Sequence, residues 1–568
     1  MAGVVIENLS TKKLMGIVVL LLLLQIICFL VGGLIAPSPT SAHTHLATKC
    51  VDPAISLQKA FVPHGPDACS KVSTFAEATE KNIEADWIVF SILMPHRPNR
   101  MDRSFQYMLG VMSLDIVYKE DNDMGDEPEL TLLVEMMYNN NDNAQGEWKK
   151  MYSINETRKL KCEFYHQKTP EAEGYSYDCE PIPLFELGTV HHKYYLLNVR
   201  LPVWEVDPDT QEVIRELNTN LGAVQELSVV EIHQNGGFTL VWLTLKTALF
   251  PLVILAMIWF WKRIVQLARP PVLLERTILA LAITISILNL PLEWLTFFHD
   301  MPYMLLLSDI RQGACYAMLF SFWIIFVGEH MMDQQERNRL KVYWRQVGSM
   351  TLGCMCLFVF DVVERGVQLT NPFYSLWNTE TGRRLAMIFV VLAGICGFLY
   401  TIFLVFMVWG VFKNISMKRA ALPHMVAARR LHYEGLIYRF RFFMLFTLVC
   451  AVMTAIFFIF SQINEGNWKW GEDKHNIQYS SAFFTGVYGM WNIYVLAVLI
   501  LYAPSHKNKP LSFQNGDASE GSQVEFEMST NVSSTGPSTS AAAHATSGAA
   551  AQAGTSEVYQ LLGKVAND

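Results

Sequence analysis

Residues 14–36 read LMGIVVLLLLLQIICFLVGGLIA, a run without a single charged side chain. A helix needs about 20 apolar residues to cross about 30 Å of hydrocarbon, so this run is long enough to span a membrane. It is also longer than the apolar core of a cleavable signal peptide, which has roughly 7–15 residues. The run therefore predicts a retained signal anchor, with a cleaved signal peptide as the alternative.

Seven further stretches satisfy the same length and apolarity. The chain has 568 residues, of which 51% are hydrophobic and only 17% charged, a composition typical of membrane proteins. The eight predicted spans are residues 14–36, 239–261, 275–298, 307–328, 347–366, 385–412, 440–462 and 480–502. The sequence thus predicts a multi-pass α-helical membrane protein, divided into residues 1–13, the first span 14–36, a domain 37–238, a seven-helix bundle 239–502 and a tail 503–568.

Lysine and arginine predict the orientation of the chain. With a cytosolic N-terminus, the short cytosolic loops carry fifteen Lys and Arg and the opposing short loops carry six. Because cytosolic loops are enriched in these residues, both termini should be cytosolic and residues 37–238 lumenal.

The predicted lumenal segment has the pattern of a β-domain. Clusters of Gly, Pro, Asn and Asp separate β-branched and aromatic runs, several of them alternating, and this favours an antiparallel β-sandwich. The runs are DWIVFSILMP, FQYMLGVMSLDIVY, ELTLLVEMMY, KLKCEFY, HKYYLLNVRLPV and LSVVEIHQ.

Cysteines and one sequon fit a lumenal compartment. Cys50, Cys69, Cys162 and Cys179 would be oxidised there, and they pair most simply as neighbours in sequence, although three connectivities are possible. Asn155, in NET, is the one glycosylation sequon on the lumenal side in this topology.

Charge is divided unevenly along the chain. Residues 37–238 carry 31 Asp and Glu against 17 Lys and Arg, a net charge of −14. Such a domain favours a basic lumenal partner through electrostatic steering, and the alternative is an acidic surface that is merely solvated.

Charged residues also lie near the lumenal ends of spans three, four and five. Charges at that depth are costly unless they are paired or face a wet cavity. They predict either salt bridges that hold the three helices together or a polar mouth above a ligand cavity, and the two are compatible. The residues are Glu293, Asp309, Arg311, Asp361, Glu364 and Arg365.

Catalytic motifs are missing from the sequence. It contains no HExxH, no GxSxG and no Gly-rich phosphate loop, and His330 beside Glu329 is one histidine without further metal ligands. We therefore predict no enzyme, no metal and no cofactor, and no nucleic-acid partner.

Several long strings, in order across residues 1–508, resemble the Wntless family, the sorting receptors for Wnt proteins. The strings are ENLSTKKL, FLVGGLIAP, HQNGGFT, RPPVLLE, SFWIIFVGEHMMDQ, FDVVERGVQLTNPFYS, RRLHYEGLIYRF, AFFTGVYGMWN and LYAPSHKN. The resemblance implies a lumenal β-sandwich and a GPCR-like bundle of spans two to eight. It also implies a cargo of acylated Wnt, carried from the endoplasmic reticulum through the Golgi to the plasma membrane.

Sorting signals follow from the same resemblance and from the topology. YEGL would be the family's endocytic signal, here Tyr433 and Leu436, read by a clathrin adaptor; retromer-type machinery would recycle the carrier through endosomes. Without the resemblance, this stretch could equally be a membrane-interface anchor. The tail is rich in Ser, Thr, Ala and Gly, which is typical of disorder. Its EVYQLL, with Tyr559, is a second candidate signal, and its end, GKVAND, departs from the family's retrieval signal.

An acylated cargo needs an apolar shelter. Exposure of a methylene to water costs roughly 0.8 kcal/mol, so a long acyl chain represents on the order of 10 kcal/mol, which an apolar cavity within the bundle must hide. Tyr400, Tyr488 and Asn492 are candidate cavity residues, with hydrogen bonding between helices as the alternative.

A GPCR-like signalling receptor is the alternative function. It would share the topology, but the sequence has no DRY at the cytosolic end of a span and no NPxxY before the tail.

Overall fold

The computed structural model describes most of the membrane bundle and of the domain between spans one and two. The described residues are 4–52, 62, 69–95, 100–125, 128–141, 147–206, 213–219, 221–267, 269–331, 339–376, 379–420, 437–454 and 475–505.

Among these described residues, eight helices are long and apolar enough to cross a membrane, which confirms the prediction of eight spans. Spans 1 to 8 are Thr11–Ile35, Gly236–Val265, Leu273–Phe297, Met304–Glu329, Leu340–Gln368, Thr381–Asn414, Ile437–Thr454 and Ser481–Leu501. The helices of spans 6 and 8 are longer than the spans and run over Glu380–Ala420 and His475–Leu501. The GPCR-like arrangement of spans 2 to 8 stays a prediction.

The domain between spans 1 and 2 consists of two antiparallel sheets, as predicted. Four strands form one sheet in the order β1-β14-β5-β10, and six form the other in the order β3-β2-β4-β11-β6-β7. The first sheet contains β1 Thr40–Leu46, β5 Met108–Val117, β10 Ile182–Leu187 and β14 Ala223–Gln234. The second contains β2 Thr48–Val51, β3 Ser70–Lys71, β4 Ile88–Met94, β6 Glu129–Asn139, β7 Lys149–Lys159 and β11 Tyr194–Arg200.

Two short hairpins complete this domain. They pair β8 Cys162–Glu163 with β9 Asp178–Cys179, and β12 Trp204–Val206 with β13 Val213–Glu216. The run KLKCEFY, predicted as a strand, contributes only the last residue of β7 and the two residues of β8. Disulfides join Cys50 to Cys69 and Cys162 to Cys179, which are the neighbours in sequence.

Alternating side chains explain why the two sheets pack face to face. Met108, Met112 and Ile116 of β5 are fully buried, and from Met108 to Ile116 buried residues alternate with partly exposed ones. They share one apolar cluster with Leu132 and Val134 of the other sheet. Side chains of a strand point to opposite faces in turn, so one face of each sheet supplies the core.

The loop between spans 5 and 6 reaches into this core. Phe373 is 1% exposed and belongs to the apolar cluster of the β-domain. The Phe373 carbonyl oxygen accepts a 3.0 Å hydrogen bond from Arg158 of β7, and the Pro372 carbonyl oxygen accepts one of 2.7 Å from the backbone N–H of Glu186. The bundle and the β-domain are therefore joined by packing and by hydrogen bonds.

Candidate functional site

A buried cluster of three charges lies where spans 2, 3 and 4 meet. Glu293 Oε1 is 2.7 Å from Lys246 Nζ and 2.6 Å from Arg311 Nη2. All three residues are more than nine-tenths buried. Arg311 also donates a 2.8 Å hydrogen bond to the carbonyl oxygen of Leu290, where the helix of span 3 ends. Two cations share one carboxylate, so the cluster ties three helices together.

A chain of polar side chains continues into the bundle from span 3 to span 8. The Tyr488 hydroxyl donates to Asn289 Oδ1, and Asn289 Nδ2 donates to Asn492 Oδ1. Tyr400 of span 6 donates a 3.1 Å hydrogen bond to the carbonyl oxygen of Phe320 in span 4. The three predicted cavity residues are thus buried and link helices in this structure, and their role toward an acyl chain stays a prediction.

A second charged cluster lies at the joint between the bundle and the β-domain. Arg365 of span 5 forms an ion pair with Glu186 of β10, and its Nε lies 3.7 Å from Asp309 Oδ2 of span 4. Asp361 and Glu364 lie on the same helix as Arg365, four residues and one residue before it. The six predicted residues of the polar mouth therefore divide into two clusters. One contains Glu293 and Arg311, and the other contains Asp309, Asp361, Glu364 and Arg365.

A third contact region joins residues Arg103–Gln106 to the connection between spans 3 and 4. Arg103 Nη1 donates to the carbonyl oxygen of Phe297 at 2.8 Å, and Gln106 Nε2 donates to the hydroxyl of Thr296 at 3.1 Å. Close by, burial and the charges of His191 and Arg103 lower the pKa of His192 to about 4.

Glu231 is a fully buried carboxylate at the end of β14, next to span 2. Its oxygens lie 2.9 Å from His45 Nε2 and 2.7 Å from His233 Nδ1. Burial raises the pKa of Glu231, but the contacts with the two histidines outweigh it and lower the pKa below its usual value. The cluster fastens β1, which follows span 1, to β14, which precedes span 2.

The predicted glycosylation residue lies within the described part of the chain, and the predicted sorting residues do not. Asn155 is exposed on β7, an edge strand, where an oligosaccharide has room. Tyr433, Leu436 and Tyr559 lie outside the described residues. Ile437, which directly follows Leu436, is buried in the core of the bundle.

Sequence comparisons match both parts of the chain to one family. Residues 48–234 match the domain described as "Wntless, GOLD domain", and residues 235–506 match "Wntless-like, transmembrane domain". The chain is 52% identical to "Protein wntless homolog" of Gallus gallus over 534 residues, which are 94% of this chain and 96% of that protein. It is 51% identical to the Homo sapiens protein with the same coverage, and 49% identical to "Protein wntless homolog A" of Xenopus laevis over the whole of both chains.

The chain belongs to the Wntless family. It is a multi-pass membrane protein whose function is related to Wnt secretion and involves Wnt proteins. The Wntless family is a family of transport proteins and not of enzymes. Among the residues that the structure describes, no group of three His, Cys, Asp or Glu side chains could hold a metal ion.

Lys246, Asn289 and Glu186 are among the cluster residues that were not found from the sequence. Lys246 stands in the middle of an apolar run, and a lysine within a span is itself a signal of a buried partner. Asn289 carries a weaker signal of the same kind. Glu186 is an ordinary acidic residue in an acidic domain, so nothing in the sequence marks it as the partner of Arg365.

Proposed function

We propose that this chain is a cargo receptor that binds acylated Wnt and carries it through the secretory pathway to the cell surface. Alignment at 52% identity over 94% of the chain to "Protein wntless homolog" of Gallus gallus carries the proposal. The eight apolar spans and the net charge of −14 on residues 37–238 support it, because they suit a cargo that combines an acyl chain with a basic surface.

In this proposal the acyl chain is sheltered in the bundle, near Tyr400, Tyr488 and Asn492. The hydroxyl and amide groups would have to keep their hydrogen bonds to neighbouring helices, since an orphaned polar group in the bundle costs about 1–3 kcal/mol. The charges at the β-domain end of spans 2 to 5 would form the polar mouth through which the acylated segment enters. The β-domain would orient the protein part of the cargo.

The direction of transport requires a lumenal β-domain and cytosolic termini. A glycan on Asn155 tests this, because only lumenal sequons are modified. We expect one glycan that disappears in Asn155→Gln, and none on Asn414 or Asn531. A glycan on Asn531 would reverse the proposed orientation.

Recycling completes the proposed cycle through the endoplasmic reticulum, Golgi, plasma membrane and endosomes. A clathrin adaptor would bind Tyr433 and Leu436 and return the emptied carrier, with retromer-type machinery acting afterwards. Tyr559 would be a weaker, second signal.

Capture of cargo from secretory cells tests the proposed function. The full chain should retain acylated Wnt, and retention should be lost with a Wnt that lacks its acylated serine. The control is the expression and secretory-pathway localisation of both Wnts. Equal retention of the two forms would show that the acyl chain is not what the receptor recognises.

A further inference from the structure

Four carboxylates lie around Arg365. Glu186 comes from the β-domain, Asp309 from span 4, and Asp361 and Glu364 from the helix of Arg365 itself. Asp361 lies four residues before Arg365, so the two side chains are on the same face of the helix and Asp361 is within reach of the guanidinium. One cation therefore has partners on both sides of the joint between the β-domain and the bundle.

The shortest contacts of the Arg365 guanidinium are to Glu186 of the β-domain and to Gln368. It pairs with Glu186, and its Nη1 donates 3.1 Å to Gln368 Oε1, while Gln368 Nε2 in turn reaches Glu186 Oε2 at 3.4 Å. Asp309 is more distant, at 3.7 Å. One oxygen of Glu364 accepts from the Ser375 hydroxyl, and the other is buried with no hydrogen-bond donor among the described groups.

A small cleft lies beside the ion pair. Glu186, Arg365 and Gln368 form part of its wall. Its other walls are largely apolar and come from β7, span 4 and the loop after span 5, including Met151, Leu305 and Leu369.

The position of Arg365 bears on how the two parts of the protein are joined. Span 5 ends at Gln368, and the loop that follows places Phe373 in the core of the β-domain. Glu186, the partner of Arg365, also donates its backbone N–H to the carbonyl oxygen of Pro372 in this loop. The same β-strand residue thus holds both the guanidinium and the loop.

We propose that Arg365 is a two-position latch between the β-domain and the bundle. In the docked position it pairs with Glu186 and holds the loop of Phe373 against β10. In the released position it pairs with Asp309, Asp361 and Glu364, and the β-domain end of spans 5 and 6 loosens. Each position leaves at least one carboxylate without this guanidinium, and forces on the β-domain select between the two positions.

Hydrogen exchange of the cargo-free, full-length protein tests the latch. The exchange rate is measured at the backbone N–H of residue 186, in the native protein and in each variant. Glu186→Gln removes the docked partner, and we expect exchange at this amide to rise about tenfold, since a charge-assisted hydrogen bond shifts an equilibrium by that order. Glu364→Gln removes a partner of the released position, and exchange should fall. Glu180→Gln is the matched control, because Glu180 is an exposed carboxylate of the same domain.

Opposite effects of the two carboxylate substitutions are the signature of a latch. If Glu364→Gln also raises exchange, or if Glu186→Gln leaves it unchanged, Arg365 is only a static ion pair and the proposal fails. Should Glu186→Gln not fold, Arg365→Lys replaces it, and a latch predicts faster exchange because lysine lacks the fork that bridges Glu186 and Gln368. No cargo is present, so these outcomes are independent of the proposed function.

Discussion

The ammonium group of Lys246 in span 2 lies 2.7 Å from a carboxylate oxygen of Glu293 in span 3, in the interior of the bundle. The same oxygen lies 2.6 Å from Arg311 of span 4. Desolvation of three charges is expensive, and only their mutual attraction offsets that cost. The cluster therefore makes the assembly of three spans depend on one carboxylate.

Substitution of this carboxylate should destabilise the bundle more than loss of either cation. Glu293→Gln leaves Lys246 and Arg311 buried without a counter-charge, and breaking such a cluster costs about 3–5 kcal/mol. Lys246→Met leaves Glu293 paired with Arg311 and should cost less. Thermal unfolding of the purified protein measures both, with Lys262→Met, an exposed lysine of the same helix, as the control. Equal stability of Glu293→Gln and the wild type would contradict this account of the cluster.

Phe373 should behave as a core residue of the β-domain although it lies in a loop of the bundle. Phe373→Ala creates a cavity among buried side chains of both sheets and should lower the free energy of unfolding by about 3–5 kcal/mol. Phe298→Ala is the matched control, because Phe298 is 73% exposed at the end of span 3. Similar unfolding midpoints for the two variants would mean that the loop does not hold the β-domain in solution.

Acidification should weaken the β-domain near His192. The pKa of His192 is about 4 in the folded protein, below the usual value of about 6.5 in an unfolded chain. Between these values the unfolded chain binds the proton and the folded chain does not, so stability falls as the pH decreases from about 6.5 toward 4. His192 stacks on Tyr138 and contacts Asn140, and charge on His191, Arg103 and Asp300 also acts on it.

The pH dependence of thermal unfolding measures this effect. In His192→Gln, the midpoint temperature of unfolding should decline less between pH 7 and pH 5 than it does in the wild type. His166→Gln changes an exposed histidine of the same domain and should leave the slope unchanged. A wild-type slope in His192→Gln would assign the decline to other groups.

Surface uptake of the receptor should depend on Tyr433 and Leu436. Tyrosine-based signals bind adaptors in extended form, with pockets for the aromatic ring and for the apolar side chain three residues later. Tyr433→Ala or Leu436→Ala should enlarge the surface pool and leave cargo capture intact, and Tyr559→Ala should do less. Tyr438→Ala is a close control, because Tyr438 is 54% exposed but is followed three residues later by Arg441. Uptake abolished only in Tyr559→Ala would move the signal to the tail.

The spans were predictable from sequence because hydrocarbon thickness imposes a length and an apolarity that composition alone reveals. The strands with buried faces, β4, β5, β6, β11 and β14, were predictable for a similar reason. The edge strands β1 and β7 were not predicted, since TSAHTHL and KKMYSINETRK bury few side chains and lack a continuous apolar face. Their pairing depends on the neighbouring strand, which the local sequence does not contain.

The candidate site was predictable as a set of charged residues but not as a set of pairs. Glu293 and Arg311 stood out because charges near membrane depth are rare. Their partner Lys246, and Glu186 as the partner of Arg365, are selected by tertiary contacts between distant parts of the chain. The loop of Phe373 shows the same limit, because its apolar side chain serves a domain that lies far away in sequence.

Photo-crosslinking tests most directly whether the acyl chain of the cargo lies inside the bundle, as we propose. A Wnt carrying a photoreactive acyl chain would be captured by the full-length receptor, and the crosslinked residues would be mapped by mass spectrometry. We predict crosslinks to inward-facing residues of spans 3, 4, 6 and 8, around Tyr400, Tyr488 and Asn492. Crosslinks confined to the β-domain, or to exposed residues of span 1 such as Leu20 and Leu23, would contradict the account.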